Sequence, residues 1–310
     1  MPKVKKISDK ALKLAVPPSS RIPIETSPNM FTHHCVMLCC GKRGAGKSVF
    51  ICNYLRMLKT ENKADRIIVI SPTIHSNEAL LQSLGIDMED CFDPDDPDVI
   101  RKVVHLIDEE RDEYVEDLDK IERFDRFKKI ADNETIPIHL LDPYDMVEFA
   151  DERGNLVRPK TKYGHRPCLH LFMDDCQSSR VFRDRKFLNL CIRHRHMGQI
   201  KLDKKNKEKA GALGVSIYVA IQNLKSTGGG CPRAIRNNAT QMILVGKSKD
   251  EQELKDIYGS VSGEIDYDNF INGYEYATAE PYNSFVIDLH PKKNHPSRFR
   301  KNMNEFILPK

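Results

Sequence analysis

His34–Ser48, HCVMLCCGKRGAGKS, decides the fold: an apolar run short enough for a buried strand leads into a loop with glycine at 41, 44 and 46, and the residues from Lys47 to about Lys59 have helix-forming character. Gly41 to Ser48 fits G-x-x-x-x-G-K-[ST], and the strand before and helix after are the context that this phosphate-binding pattern requires. Glycine lets the backbone curl until successive N–H groups point inward, at the positive end of the following helix. The expectation is an ATP cradle made of Gly41, Lys42, Arg43, Gly44, Ala45, Gly46, Lys47, Ser48 and Val49. In it Lys47 reaches the β- and γ-phosphates and the Ser48 hydroxyl ligates Mg²⁺.

Such a loop needs a carboxylate to hold the metal from the far side. CLHLFMDD, from Cys168, supplies one: Asp174 ends an apolar strand as the expected magnesium contact, and Asp175 is placed to orient or deprotonate the attacking water. Acids at a strand end also serve as turn starters, so the pair takes its meaning from the loop. Gln222 ends another apolar run, VSIYVAIQ, where an amide can sense the γ-phosphate. Arg195, in the RHRH run at 193–196, reads as a helix C-terminal cation or, in a ring, as a finger reaching a neighbour's γ-phosphate. Arg233 and Arg236 are rivals for that role. NKAD, at 62–65, matches a guanine-reading tetrad by letters but precedes the second strand, too early in the chain for that task.

Farther out, apolar runs at RIIVIS from Arg66, CLHLFMDD, VSIYVAIQ and QMILVG from Gln241 alternate with helical patterns, which predicts an α/β fold with a mostly parallel sheet between helices. Residues 31–290 form the expected ATPase domain. Inside it, about 91–166 reads as an insertion led by a long, charged amphipathic helix, and 199–213 as a loop holding Lys201, Lys204, Lys205, Lys207 and Lys209. That loop is either a solvated surface or, repeated around a ring, a lining for DNA phosphates. Residues 1–30, with Pro17, Pro18, Pro23 and Pro28 among lysines, read as a basic flexible arm, and 291–310 as a basic C-terminal tail.

The 310 residues carry a net charge of +4, too small to imply nucleic acid without local clustering. The nine cysteines form no CxxC pair and several fall in apolar runs, so free thiols in a reducing compartment are expected. The His33, His34, Cys35 and Cys39/Cys40 cluster reads as buried thiols rather than a zinc site, because adjacent strand residues point to opposite faces. The longest apolar stretch is far too short to span a bilayer, and neither secretion nor membrane insertion is expected.

Taken in order, GKRGAGKS, LFMDD, RHRHMG, IYVAIQ and PRAIRNNATQMIL resemble the genome-packaging ATPases of large DNA viruses and virophages, within the FtsK–HerA superfamily. The resemblance spans about residues 32–260. It implies a RecA-like core assembled as a pentameric or hexameric ring, with ATP hydrolysis driving double-stranded DNA into a preformed capsid at a portal-like vertex, in the host cytoplasm or viral assembly site. It further implies that Asp174 holds the metal, Asp175 stands at the catalytic-acid position, Gln222 is the sensor and Arg195 the finger. Asp175 is shorter than the glutamate frequent in cellular relatives. A DNA helicase of the same superfamily is the nearest alternative, and a P-loop kinase a more distant one.

Overall fold

The computed structural model describes residues 24–74, 78–132, 142–200, 211–224, 230–247 and 251–308. Its central strand, β1 (Val36–Cys40), is buried along its whole length, and α1 (Lys47–Thr60) follows the glycine loop. β2 (Arg66–Ile70), α2 (Glu78–Ser83) and the short β3 (Cys91–Phe92) come next. α3 (Val99–Ala131) and α4 (Pro143–Phe149) then lead to β4 (Leu169–Met173) and α5 (Arg185–Arg193). The second half comprises β5 (Val215–Ile221), α6 (Arg233–Asn238), β6 (Gln241–Val245), α7 (Glu251–Tyr258), α8 (Tyr267–Ala277), β7 (Ser284–Asp288), β8 (Phe299–Lys301) and β9 (Glu305–Ile307).

Among the described residues these strands make one nine-stranded sheet in the order β3-β2-β4-β5-β1-β6-β7-β8-β9. The run from β3 to β6 is parallel, and β6 to β9 is antiparallel. This is an α/β arrangement with a mostly parallel sheet between helices, as the alternation of strand and helix predicts. Parallel strands buried on both faces need apolar residues at every position, and β1, β4, β5 and β6 are buried throughout.

The period-2 alternation of strand side chains divides the core into two layers. Val36, Leu38, Ile217 and Val219 face the layer that holds residues of α3, α5, α6, α7 and α8, whereas Met37, Cys39, Ile67 and Tyr218 face α1 and α2. Cys39 and Cys40 accordingly point to opposite faces. Burial pushes the Cys35 thiol up to about 11 and Cys168 and Cys231 up to about 12, so these thiols stay protonated at neutral pH.

The insertion packs Val103, Ile107, Tyr114 and Leu118 of α3 onto the sheet. A polar knot around the buried Glu110 fixes its register: Arg66 on β2 donates to Asp90 and to Glu110 (3.0 Å), and Glu110 also accepts from Lys162 (3.1 Å) and Tyr163 (3.2 Å). Asp65, the last residue of NKAD, accepts from the Cys168 N–H at 2.7 Å and lies 3.0 Å from His165. It therefore ties the entry ends of β2 and β4, at the sheet edge away from the glycine loop.

The C-terminal segment departs from the sequence reading. Instead of a basic tail, 291–308 contributes β8 and β9 to the sheet. Arg300 is fully buried, donating to the Asn29 carbonyl at 2.5 Å and lying over the Phe31 and Phe306 rings. The expected N-terminal arm is likewise packed at its end: Lys292 donates to Thr26 and Ser27, and Met30 and Phe31 are in the core. Lysines and arginines at a chain end resemble solvated chain, whereas here Lys292 and Arg300 are satisfied by the carbonyls of Thr26, Ser27 and Asn29 and the ring of Phe31. Residues 1–23, where the rest of the arm lies, and 201–210, which hold the lysine cluster, are outside the described residues.

Candidate nucleotide site

In a parallel sheet, the loops that leave the C-terminal ends of the strands converge on one edge, and ligands bind there. Here β1 delivers the glycine loop, β4 delivers Asp174 and Asp175, and β5 delivers Gln222. Because β5 lies between β1 and β4, all three arrive side by side.

The loop has no room for side chains where it bends. A Cβ on Gly41 would sit 2.6 Å from the Val245 carbonyl oxygen, and Gly46 begins α1 with φ of +102°, a left-handed conformation that favours glycine. With glycine at the cap, no side chain competes for the first N–H groups of α1, which lack carbonyl partners within the helix. Lys47 folds back to donate to the Lys42 carbonyl at 3.1 Å, spanning the loop it serves. Two clefts flank the loop. Gly41, Lys42, Arg43, Gly44 and Ala45 line one of about 830 Å³ shared with Gln222 and α7. Gly46, Lys47, Ser48 and Val49 line another of about 650 Å³.

Beneath the loop, the Ser48 hydroxyl donates to Asp174 Oδ1 at 2.7 Å, joining the two expected magnesium ligands across 126 residues of sequence. Asp174 is 6% exposed. Desolvation raises its pKa against the opposing Ser48 hydrogen bond, so the ionised carboxylate is costly here without a cation. Two hard oxygen donors at one point suit Mg²⁺, which takes one or two protein ligands and keeps waters. The residues present fit that ion.

Asp175 has a φ of +52°, in the left-handed region that aspartate tolerates better than most residues, and Gln222 Nε2 donates to its Oδ1 at 3.1 Å. A residue missed in the sequence completes the contact. Gln177 Oε1 accepts from the N–H groups of Gln222 (2.6 Å) and Asn223 (3.3 Å), and its Nε2 donates to the Asn223 carbonyl at 3.0 Å. Three residues past Asp174 in DDCQ, Gln177 clips the acid loop to the end of β5, and only its polarity in that loop signals it. Glu253 of α7, also unforeseen, accepts from the Leu224 N–H at 2.5 Å and from the Cys40 thiol at 3.6 Å.

The arginines are placed elsewhere. Arg195 follows α5 in a short 3-10 turn next to His194, whose Nε2 is 2.9 Å from the carbonyl of His34, at the entry end of β1. It is thus at the opposite sheet edge from its own Asp174 and Asp175. Arg236 of α6 donates to the Cys231 carbonyl at 3.1 Å. No helix among the described residues is long and apolar enough to cross a membrane.

No protein-family model matches the sequence, and no curated protein matches it. Among solved structures, the chain is similar to the genome packaging NTPase B204 of Sulfolobus turreted icosahedral virus 2. In its AMP complex, the match covers 88% of this chain and 98% of that one at 11% identity, with a TM-score of 0.43. The AMPPCP complex gives 12% identity over 88% and 99%, with a TM-score of 0.43. The sulfate complex gives 10% identity over 89% and 98%, with a TM-score of 0.44.

Proposed function

We propose that the protein is an ATP-hydrolysing motor that translocates double-stranded viral DNA into a preformed capsid, working as a homo-oligomeric ring at a capsid vertex. The observation that carries the hydrolytic part is the Ser48–Asp174 contact beneath the glycine loop, with Asp175 and Gln222 joined beside it. The ordered motif set from GKRGAGKS to PRAIRNNATQMIL supports the packaging part.

In this reading the loop N–H groups and Lys47 hold the β- and γ-phosphates, and Lys47 leaves the Lys42 carbonyl to do so. Mg²⁺ held by Ser48 and Asp174 would neutralise charge on the phosphate oxygens. Asp175 orients a water for in-line attack and accepts its proton. Gln222, which holds Asp175, loses or regains that hydrogen bond as the γ-phosphate leaves and so passes the event to the loop after β5. Arg195 lies at the sheet edge opposite its own site, which suits a finger acting on a neighbouring subunit; Arg236 is its rival.

The test is ATP turnover by the purified protein with and without duplex DNA, beside Lys47→Ala and Asp175→Asn. Turnover stimulated by DNA and lost in both variants is expected. Turnover indifferent to DNA overturns the translocation reading while keeping the ATPase, and ATP-dependent strand separation reassigns the protein to a helicase.

A further inference from the structure

The cleft of about 650 Å³ beside the loop is not accounted for by phosphate binding. One wall is the start of α1, with Lys47, Ser48 and Val49; the other is formed by Tyr282, Asn302 and Asn304. Asp174, Asp175 and Gln222 lie outside it. A triphosphate whose terminal phosphate points at the acids must leave the loop at its other end, which opens on this cleft. The volume is within the range of small-molecule sites.

Tyr282 is the unusual residue there. It is 73% exposed, and its φ of +65° is a conformation that bulky side chains rarely adopt. Folding gains little from an exposed ring held at a backbone cost. The turn is nevertheless firmly pinned. The Gly246 N–H donates to the Asn283 carbonyl at 2.9 Å, and Asn302 Nδ2 donates to Asn283 Oδ1 at 3.0 Å. The Ser284 N–H donates to Asn302 Oδ1 at 2.9 Å, which ties the start of β7 to the residue that follows β8. The ring stands directly against the loop: a Cβ on Gly46 would lie 3.3 Å from Tyr282 Cδ1.

We propose that Tyr282 is the stacking platform for the base of the bound nucleotide, with the Asn304 amide at the edge of the base. A flat, weakly hydrated purine following the phosphates past Val49 meets the exposed ring face, and a primary amide can both donate to and accept from a purine edge. The assignment rests on the phosphate-binding reading of the glycine loop, so its test separates the two.

The sequence contains no tryptophan, so Tyr282→Trp introduces a single indole reporter. ATP should quench its fluorescence strongly and inorganic tripolyphosphate should not. In calorimetric titrations the wild type should bind ATP more tightly than tripolyphosphate. Tyr282→Asn, which suits the left-handed backbone, should weaken ATP about tenfold, the loss of one base–aromatic stack, and leave tripolyphosphate unchanged. Tyr282→Phe should behave as wild type, and Lys47→Ala should lose both ligands. Equal binding of ATP by Tyr282→Asn and wild type, or equal loss of ATP and tripolyphosphate, overturns the base platform while the phosphate site stands. A wild-type protein that binds neither ligand overturns the phosphate reading and this one with it.

Discussion

Arg300→Met tests whether the basic C-terminal segment belongs to the fold. The guanidinium is fully buried; Nη1 donates to the Asn29 carbonyl, Nη2 donates to His295 Nδ1 at 3.1 Å, and the group lies 5.0 Å from the Phe31 ring centre and 4.3 Å from that of Phe306. Desolvation pushes up the pKa of Asp288, a fully buried carboxylate, and the Arg300 charge works against that rise together with the Gln241 and His290 hydrogen bonds. Methionine keeps much of the volume and packs on the rings, but it leaves the Asn29 carbonyl without its donor and removes one of the charges that favour the ionised Asp288. Leaving a buried polar group unsatisfied costs about 1–3 kcal/mol. Urea unfolding monitored by far-UV circular dichroism should show a loss of that size with an unchanged slope. Adding Asp288→Asn should recover part of it, because that carboxylate charge is then gone. A loss under about 1 kcal/mol, the size of a surface substitution, or strictly additive effects, would refute the reasoning and return 291–308 to the status of a tail.

Asp174→Asn should raise the thermal midpoint of the nucleotide-free protein, since it removes a buried carboxylate whose charge burial disfavours, while lowering ATP turnover at least ~100-fold; retained turnover would count against its assigned role. Gln177→Ala should lower kcat about tenfold with little change in KM, because Asp175 and Gln222 lose the clip between their loops, and steady-state kinetics with unaltered KM and kcat would show that the clip is dispensable. Acid should unfold the protein early. Burial holds His34 at about 3 and His170 at about 4, below the 6.5 of an exposed imidazole, so the unfolded chain binds more protons below pH 6.5. Stability is therefore full above pH 6.5 and falls as pH drops toward 4, by up to about 2 kcal/mol for each histidine at pH 5. Equal urea midpoints at pH 7.5 and pH 5 would contradict this.

Much of the candidate site was legible in the residues alone. The glycine loop is a local device: eight consecutive residues between a strand and a helix carry its glycines, lysine and hydroxyl. The acids were legible because they interrupt an apolar run at its end, and β4 stops at Met173, directly before them. The long amphipathic helix of the insertion was also readable, since its spacing is set within α3 itself.

What the linear pattern did not carry is which strand lies beside which. Gln222 meets Asp175 because β5 is inserted between β1 and β4, and Gln177 matters only once that neighbour exists. The linear pattern sets Arg195 at the end of the helix after Asp174, and only the sheet shows that this is the edge opposite its own acids. The basic C-terminus and Tyr282 show the same limit: a short strand with an arginine at its centre looks like solvated chain until Asn29, Phe31 and Phe306 close around that arginine, and an exposed tyrosine has no motif until a turn pinned at the ends of β6, β7 and β8 sets it against Gly46. Local spacing therefore determined the glycine loop and the acids that end β4, each of which lies within a few consecutive residues. Strand order and register, which are settled by contacts between segments distant in sequence, decided what surrounds them.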